Sequence, residues 1–257
     1  MSENKFEFPT EVIDLPSKGL GYPEGHPLKK GNIEIKYMTA REEDILASQS
    51  LIKKGVVLDK LFESVVVEPD LNINDILIGD KNAILLATRV LGYGADYKVQ
   101  MTDPSTLEEQ EVTIDLSKVK TKDFNEKLLN SENLYKFKLP KSGADVEFKL
   151  LTHGDELEIS KENQALVRLY KGKGDTTFDV TTRLKYMIQS VDGNNDRGFI
   201  TKWVQNSFLA LDTKAFRKYV KEISPDMDLK FNFTSELTGE EEALDIPFGA
   251  GFFYPAE

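Results

Sequence analysis

Two tight turns hold the residues whose types and spacing come closest to chemistry. Asp103-Pro-Ser-Thr106 and Ser235-Glu-Leu-Thr238 each set two polar side chains with two residues between them, inside a strand–turn–strand pattern. A zinc ribbon gathers its four ligands from two such turns when the positions are cysteines. Here they are Asp, Thr, Ser and Thr, so no thiolate is offered and no metal site is expected. The chain contains no cysteine and only two histidines, His26 and His153. That excludes disulfides, thiol nucleophiles and iron–sulfur clusters, and leaves little room for a His-rich metal site or a Ser-His-Asp triad.

The remaining candidates weaken on inspection. Asp192-Gly-Asn-Asn-Asp196 starts like a calcium loop. Its sixth position is Arg197 where glycine is needed, and its twelfth is Trp203 where a bidentate glutamate is needed. Gly19-Leu-Gly21, Gly92-Tyr-Gly94 and Gly172-Lys-Gly174 match no phosphate-binding pattern and read as turns. His26 and His153 read as surface or capping residues. Glu42/Glu43 and Asp155/Glu156 lie where first helical turns are expected, and there they complement the helix dipole. No catalytic residue and no cofactor is assigned.

The two turns belong to a longer internal similarity. Residues 98–116 can be laid on 230–248, which pairs Thr102 with Thr234, Thr106 with Thr238, Glu108-Glu109 with Glu240-Glu241, and Ile114 with Ile246. The pair reads as a ribbon that has lost its metal and holds by packing and hydrogen bonds, or as two unrelated acidic hairpins.

The elements that position these turns follow from the pattern. The expected fold class is α+β, with helical bundle segments and small antiparallel hairpins, two of them knuckle-like. Residues 1–38 carry spread Pro and Gly and read as an extended arm, with a short strand over 33–37. Fully extended, such an arm reaches roughly 120 Å. Residues 39–97 form a helical unit, opened by the capping box Thr39-Ala-Arg-Glu42. Helices are expected near 57–66 and from Asp80, as helix cap, to about 91. Residues 98–150 form a hairpin region, with strands at 97–101, 111–116, 135–139 and 146–150. Residues 151–224 form a second helical unit, with helices from 152 to about 170 and at about 179–190, 196–210 and 213–222, and a flexible loop at 171–177. Residues 225–257 form an acidic hairpin and an aromatic tail.

The 257 residues carry a formal net charge of −11. An acidic chain is a poor ligand for nucleic acid or an anionic membrane, so neither is an expected partner. Residues 222–245 hold eight acids and one lysine, while the helix before them ends in Lys214, Arg217, Lys218 and Lys221. Glu240-Glu-Glu242 is a solvated hairpin tip or a docking surface for a basic partner. Phe252-Phe-Tyr254 must be buried in its own fold or in another subunit. The start of the chain has no apolar stretch of the signal-peptide kind, and no run of residues is long and apolar enough to span a membrane.

Several blocks together resemble a known family. They are Leu15-Pro-Ser-Lys-Gly-Leu-Gly-Tyr-Pro23, Tyr37-Met-Thr-Ala-Arg-Glu-Glu-Asp-Ile-Leu46, Gly79-Asp-Lys-Asn-Ala-Ile-Leu-Leu-Ala-Thr-Arg89 and Tyr93-Gly-Ala-Asp-Tyr97. With Leu139-Pro-Lys-Ser-Gly143, Leu151-Thr152 and Phe252-Phe-Tyr-Pro255, they resemble the baseplate hub proteins of T-even-type contractile-tailed bacteriophages. Many relatives carry Cys-x-x-Cys in the two knuckles, and this chain departs from them there. The resemblance implies a structural or hub-assembly protein of the virion tail baseplate, assembled in the host cytoplasm. It implies contacts with other baseplate, hub or tail proteins and no enzymatic activity. Leu15, Pro16, Leu20, Tyr22 and Pro23 in the arm, and Phe252, Phe253 and Tyr254 at the end, are the expected contact residues. A transient chaperone absent from the mature virion and, further off, a carboxylate-dependent enzyme stay open as alternatives, as does oligomerisation within the assembly.

Overall fold

The computed structural model describes residues 9–169 and 178–253. Strand β1 (Thr10–Asp14) pairs antiparallel with β2 (Asn32–Lys36), with Ile13 opposite Ile33. The segment between them turns through a short 3-10 helix, Pro27–Lys30, capped by His26, whose ring nitrogen accepts from Leu28 N–H. The segment expected as an extended arm is therefore, over residues 10–36, a hairpin folded onto its own chain. The reason lies in its apolar residues: Leu15, Tyr22, Leu28, Ile33 and Ile35 are all buried, and leaving them in water would cost far more than the turns do.

Four helices follow: α1 (Ala40–Ala47), α2 (Gln49–Lys54), α3 (Val57–Val65) and α4 (Ile78–Tyr93). The capping box of α1 forms as its sequence suggests, with Thr39 and Glu42 bonding each other's backbone ends. Glu42 is also fully buried and bonded to Lys36 Nζ (2.8 Å) and Ser64 Oγ (2.6 Å). Burial pushes its carboxyl up, but the hydrogen bonds from Lys36, Ser64 and Thr39 outweigh that and hold it at about 2. At the start of α4, Gly79 lies against the backbone of Pro225. A Cβ there would sit 1.8 Å from the Pro225 carbonyl oxygen, so only glycine lets the two segments touch.

Strands β3 (Asp96–Thr102) and β4 (Glu109–Asp115) form a long hairpin. Strands β5 (Tyr135–Lys138) and β6 (Asp145–Phe148) form another, and β7 (Ile188–Val191) joins its edge in the order β5-β6-β7. The helix expected over 179–190 is thus α6 (Asp179–Met187) followed directly by a strand. Ile188, Ser190 and Val191 are buried there, and the free edge of β6 supplies a ladder that a continued helix would leave unpaired. Helices α5 (His153–Leu169), α7 (Arg197–Asn206) and α8 (Ala210–Ile223) complete the helical part. The loop expected to be flexible at 171–177 lies outside the described residues. Last come β8 (Lys230–Thr234), β9 (Glu241–Asp245) and a 3-10 turn, Ala250–Phe253. Buried side chains from Leu15 to Phe253 form one continuous cluster that joins the N-terminal hairpin, α3, α4, the β5-β6-β7 sheet, α7, α8 and the C-terminal turn.

Candidate functional site: two facing knuckles

The turns of the β3–β4 and β8–β9 hairpins are built alike. In the first, Asp103 N–H donates to Glu108 O (2.8 Å) and Leu107 N–H to Asp103 O (2.8 Å). In the second, Ser235 N–H donates to Glu240 O (2.9 Å) and Gly239 N–H to Ser235 O (2.9 Å). Thr106 Oγ1 accepts from Glu108 N–H, and Thr238 Oγ1 from Glu240 N–H, each at 3.3 Å. The internal similarity is thus a real structural repeat at the level of the turn.

The two knuckles also meet, and their side chains hold them together. Ser235 Oγ donates to Asp103 Oδ2 at 2.5 Å, and Ser105 Oγ lies 3.2 Å from Thr238 Oγ1. Asp103 Oδ1 accepts from Ser105 N–H (2.8 Å) and Ser105 Oγ (2.7 Å). Gln110 clamps the second hairpin from the side, donating to Thr234 O and accepting from Glu236 N–H, both at 3.0 Å. Asp103 and Ser235 are buried. The hydrogen bond from Ser235, with those of Ser105, holds the Asp103 carboxyl at about 2, so it stays charged and accepting across the physiological range. One carboxylate and its hydroxyl donors occupy the place where facing knuckles of this spacing would carry a metal. Among the described residues, no group of three or more His, Asp or Glu side chains gathers in a way that could hold a metal ion.

The base of the paired ribbons is fixed to α4 by a residue the sequence reading passed over. Arg89 is 2% exposed. It donates to Phe252 O (3.0 Å), Gly94 O (3.0 Å) and Asp96 O (3.4 Å), and lies over the rings of Tyr93 and Tyr97. Its signal was a lone arginine on the buried face of an apolar helix, since Leu85 and Leu86 nearby are core. Phe252 packs edge-on against Tyr97 at 5.0 Å, and Phe253 packs on Phe252. Both phenylalanines are 1% exposed. Of the two fates open to the aromatic end, these residues take burial in their own fold, which corrects their assignment as partner contacts. Tyr254 lies outside the described residues.

The arm residues divide in the same way. Leu15 and Pro16 are buried, and Tyr22 is 2% exposed. Tyr22 OH donates to Asp80 Oδ2 (2.7 Å) and accepts from Leu77 N–H (3.0 Å). Ser17 adds its N–H (2.9 Å) and Oγ (2.7 Å) to the same carboxylate. Asp80 is therefore an interior acceptor, not a helix cap. Burial pushes its carboxyl up, and the Ser17 and Tyr22 hydrogen bonds oppose that. Leu15, Pro16 and Tyr22 are thus corrected from contact residues to core. Leu20 is half-buried, and Pro23 is exposed.

His153 also differs from its expected surface or capping place. It is fully buried at the start of α5, with Nδ1 3.0 Å from Lys81 Nζ. Lys81 in turn bonds Asp59 at 2.7 Å. Lysine can only donate, so Nδ1 accepts and the imidazole proton sits on Nε2, which has no hydrogen-bond partner. Burial, reinforced by the Lys81 charge, pushes the His153 pKa down. A larger groove of about 590 Å³ runs between α6, α8 and residues 225–230. Its floor is apolar (Leu184, Met187, Phe216, Val220), and Lys122, Arg183 and Lys221 share its rim with Glu156, Asp179 and Asp226. No helix among the described residues is long and apolar enough to cross a membrane.

A family described as T4 bacteriophage base plate protein matches residues 11–253. No curated protein and no solved structure matches the chain.

Proposed function

The chain belongs to the T4 bacteriophage base plate protein family, and from that premise we propose that it serves the baseplate hub as a structural or assembly protein. It does so through contacts with other baseplate or tail proteins during morphogenesis of a contractile tail. The family match over 11–253 carries the reading. The architecture supports it: polar chemistry in this chain is spent on fastening. Asp80 fastens the N-terminal hairpin to α4, Arg89 fastens the ribbons to α4, and Asp103 fastens one knuckle to the other. Of the arm residues, Leu20 and Pro23 keep accessible surface and are proposed to touch a neighbour. No catalytic role is proposed.

The test is quantitative mass spectrometry of purified virions and of tail-assembly intermediates from infected cells. A fixed stoichiometric copy number in the virion is the expected result for a component. Presence on intermediates with absence from the virion makes the chain a transient chaperone. Absence from both overturns the hub reading.

A further inference from the structure

Leu107 stands at the tip of the first knuckle, 79% exposed. Its φ is 63°, in the left-handed region that costs a branched side chain and suits glycine. The matching position of the second knuckle is Gly239, with φ 73°. The turn therefore needs the left-handed backbone, and glycine meets that need without strain. Leucine meets it with strain and recovers nothing by burial within its own chain. A strained residue whose side chain is left in water points to a contact made elsewhere.

The second knuckle supplies a partner residue at the same tip. Leu237 is 67% exposed. It adjoins Thr238, whose hydroxyl lies 3.2 Å from that of Ser105, two residues before Leu107. The Asp103–Ser235 bond ties together the two turns that carry these leucines, so their backbones need little ordering on contact. Around them the charge has one sign. Residues 102–111 and 234–243 carry eight acids and no lysine or arginine. Glu108, Glu109, Glu236 and Glu240 are all exposed.

We propose that the tip of the paired ribbons is a docking surface, with Leu107 and Leu237 entering an apolar pocket rimmed by lysine and arginine on another baseplate protein. The acidic ring chooses that rim, speeds encounter and disfavours acidic neighbours. The leucines supply the burial. This proposal rests on the baseplate reading and deepens it by stating the chemistry of a partner.

The test uses phage encoding the full chain with Leu107→Gly, and separately with Leu237→Ser. The purified Leu107→Gly chain should melt no lower than wild type, because the substitution removes strain. Its incorporation into tail intermediates should fall about tenfold or more. Leu237→Ser, at an unstrained position, guards against a folding effect at 107 and should show the same loss. A benzophenone amino acid at 107 or 237 should crosslink, in infected cells, to a lysine- or arginine-bearing peptide of one tail protein. The same probe at exposed Val12 should not. Unchanged incorporation of both variants, beside normal incorporation of the wild-type chain, overturns the docking surface and leaves the baseplate reading standing. Crosslinks to a peptide without basic residues overturn the stated partner chemistry. Absence of the wild-type chain from all tail intermediates overturns the baseplate reading itself.

Discussion

Replacing Ser235 by alanine removes one oxygen and tests whether hydrogen bonds stand in for a metal between the knuckles. That hydroxyl donates to Asp103 Oδ2 at 2.5 Å and accepts from Thr238 N–H at 3.1 Å. A hydrogen bond to a charged acceptor contributes about 1.5–3 kcal/mol, and a stranded amide costs about 1 kcal/mol or more. Water reaches the rim of the tip, and Asp103 keeps both bonds from Ser105, so the low end applies, about 2 kcal/mol. For a chain of this size that is a fall in Tm of about 4–8 °C if the ribbons unfold with the rest. Hydrogen exchange covers the other case, in which the ribbons open alone. The Leu107 and Gly239 amides, protected by Asp103 O and Ser235 O, should then exchange about thirtyfold faster while Tm holds. The Asp103 carboxyl, held at about 2 chiefly by Ser235, should titrate nearer the ordinary range. The sign follows from that depression. In the wild type, the stabilisation is complete above the unfolded carboxyl's pKa near 4 and is lost as pH falls through about 2. Unchanged Tm, exchange and Asp103 titration together would refute the cluster as the fastening.

Four other outcomes are expected. A chain with cysteine at 103, 106, 235 and 238 should bind one zinc per molecule and, with cobalt, give a tetrahedral thiolate spectrum; a featureless or non-stoichiometric titration would mean the four positions do not converge. Tyr22→Phe strands Leu77 N–H and takes one of the two hydroxyl donors from Asp80 Oδ2, which keeps Ser17 Oγ, and should lower stability by about 2–3 kcal/mol in urea denaturation, while removing residues up to 36 should abolish cooperative unfolding. His153, its pKa depressed in the fold, gives full stabilisation above about pH 6.5 that falls as pH drops below it. His153→Gln should flatten the stability slope between pH 7 and 5, and His26, also depressed by burial, leaves a remainder.

Local signals were legible where local chemistry decides. The capping box at Thr39–Glu42 and the strand pairs of the hairpins form where their patterns put them, because those bonds close within a single turn or a single hairpin. The repeat at 98–116 and 230–248 was readable for the same reason. Long-range competition was not. The Pro and Gly spacing of residues 10–36 describes a chain that turns, and says nothing of Asp80, 63 residues from Ser17, which pins it down. Strand β7 follows its helix without a break because the edge that recruits it is β6, far back in the chain. Burial of Phe252 and Phe253 depended on Arg89 and Tyr97, which no pattern near the end announces.

The Arg89–Phe252 bond spans 163 residues of sequence, and it sets when folding can finish. A chain still being synthesised holds a buried-type guanidinium and the face of Tyr97 in water until residues 248–253 have left the ribosome. Products that stop short keep those groups exposed and are open to proteolysis. The last turn of the described fold thus acts as a latch: a chain without residues 248–253 leaves Arg89 short of its Phe252 acceptor and the face of Tyr97 uncovered at the base of the ribbons.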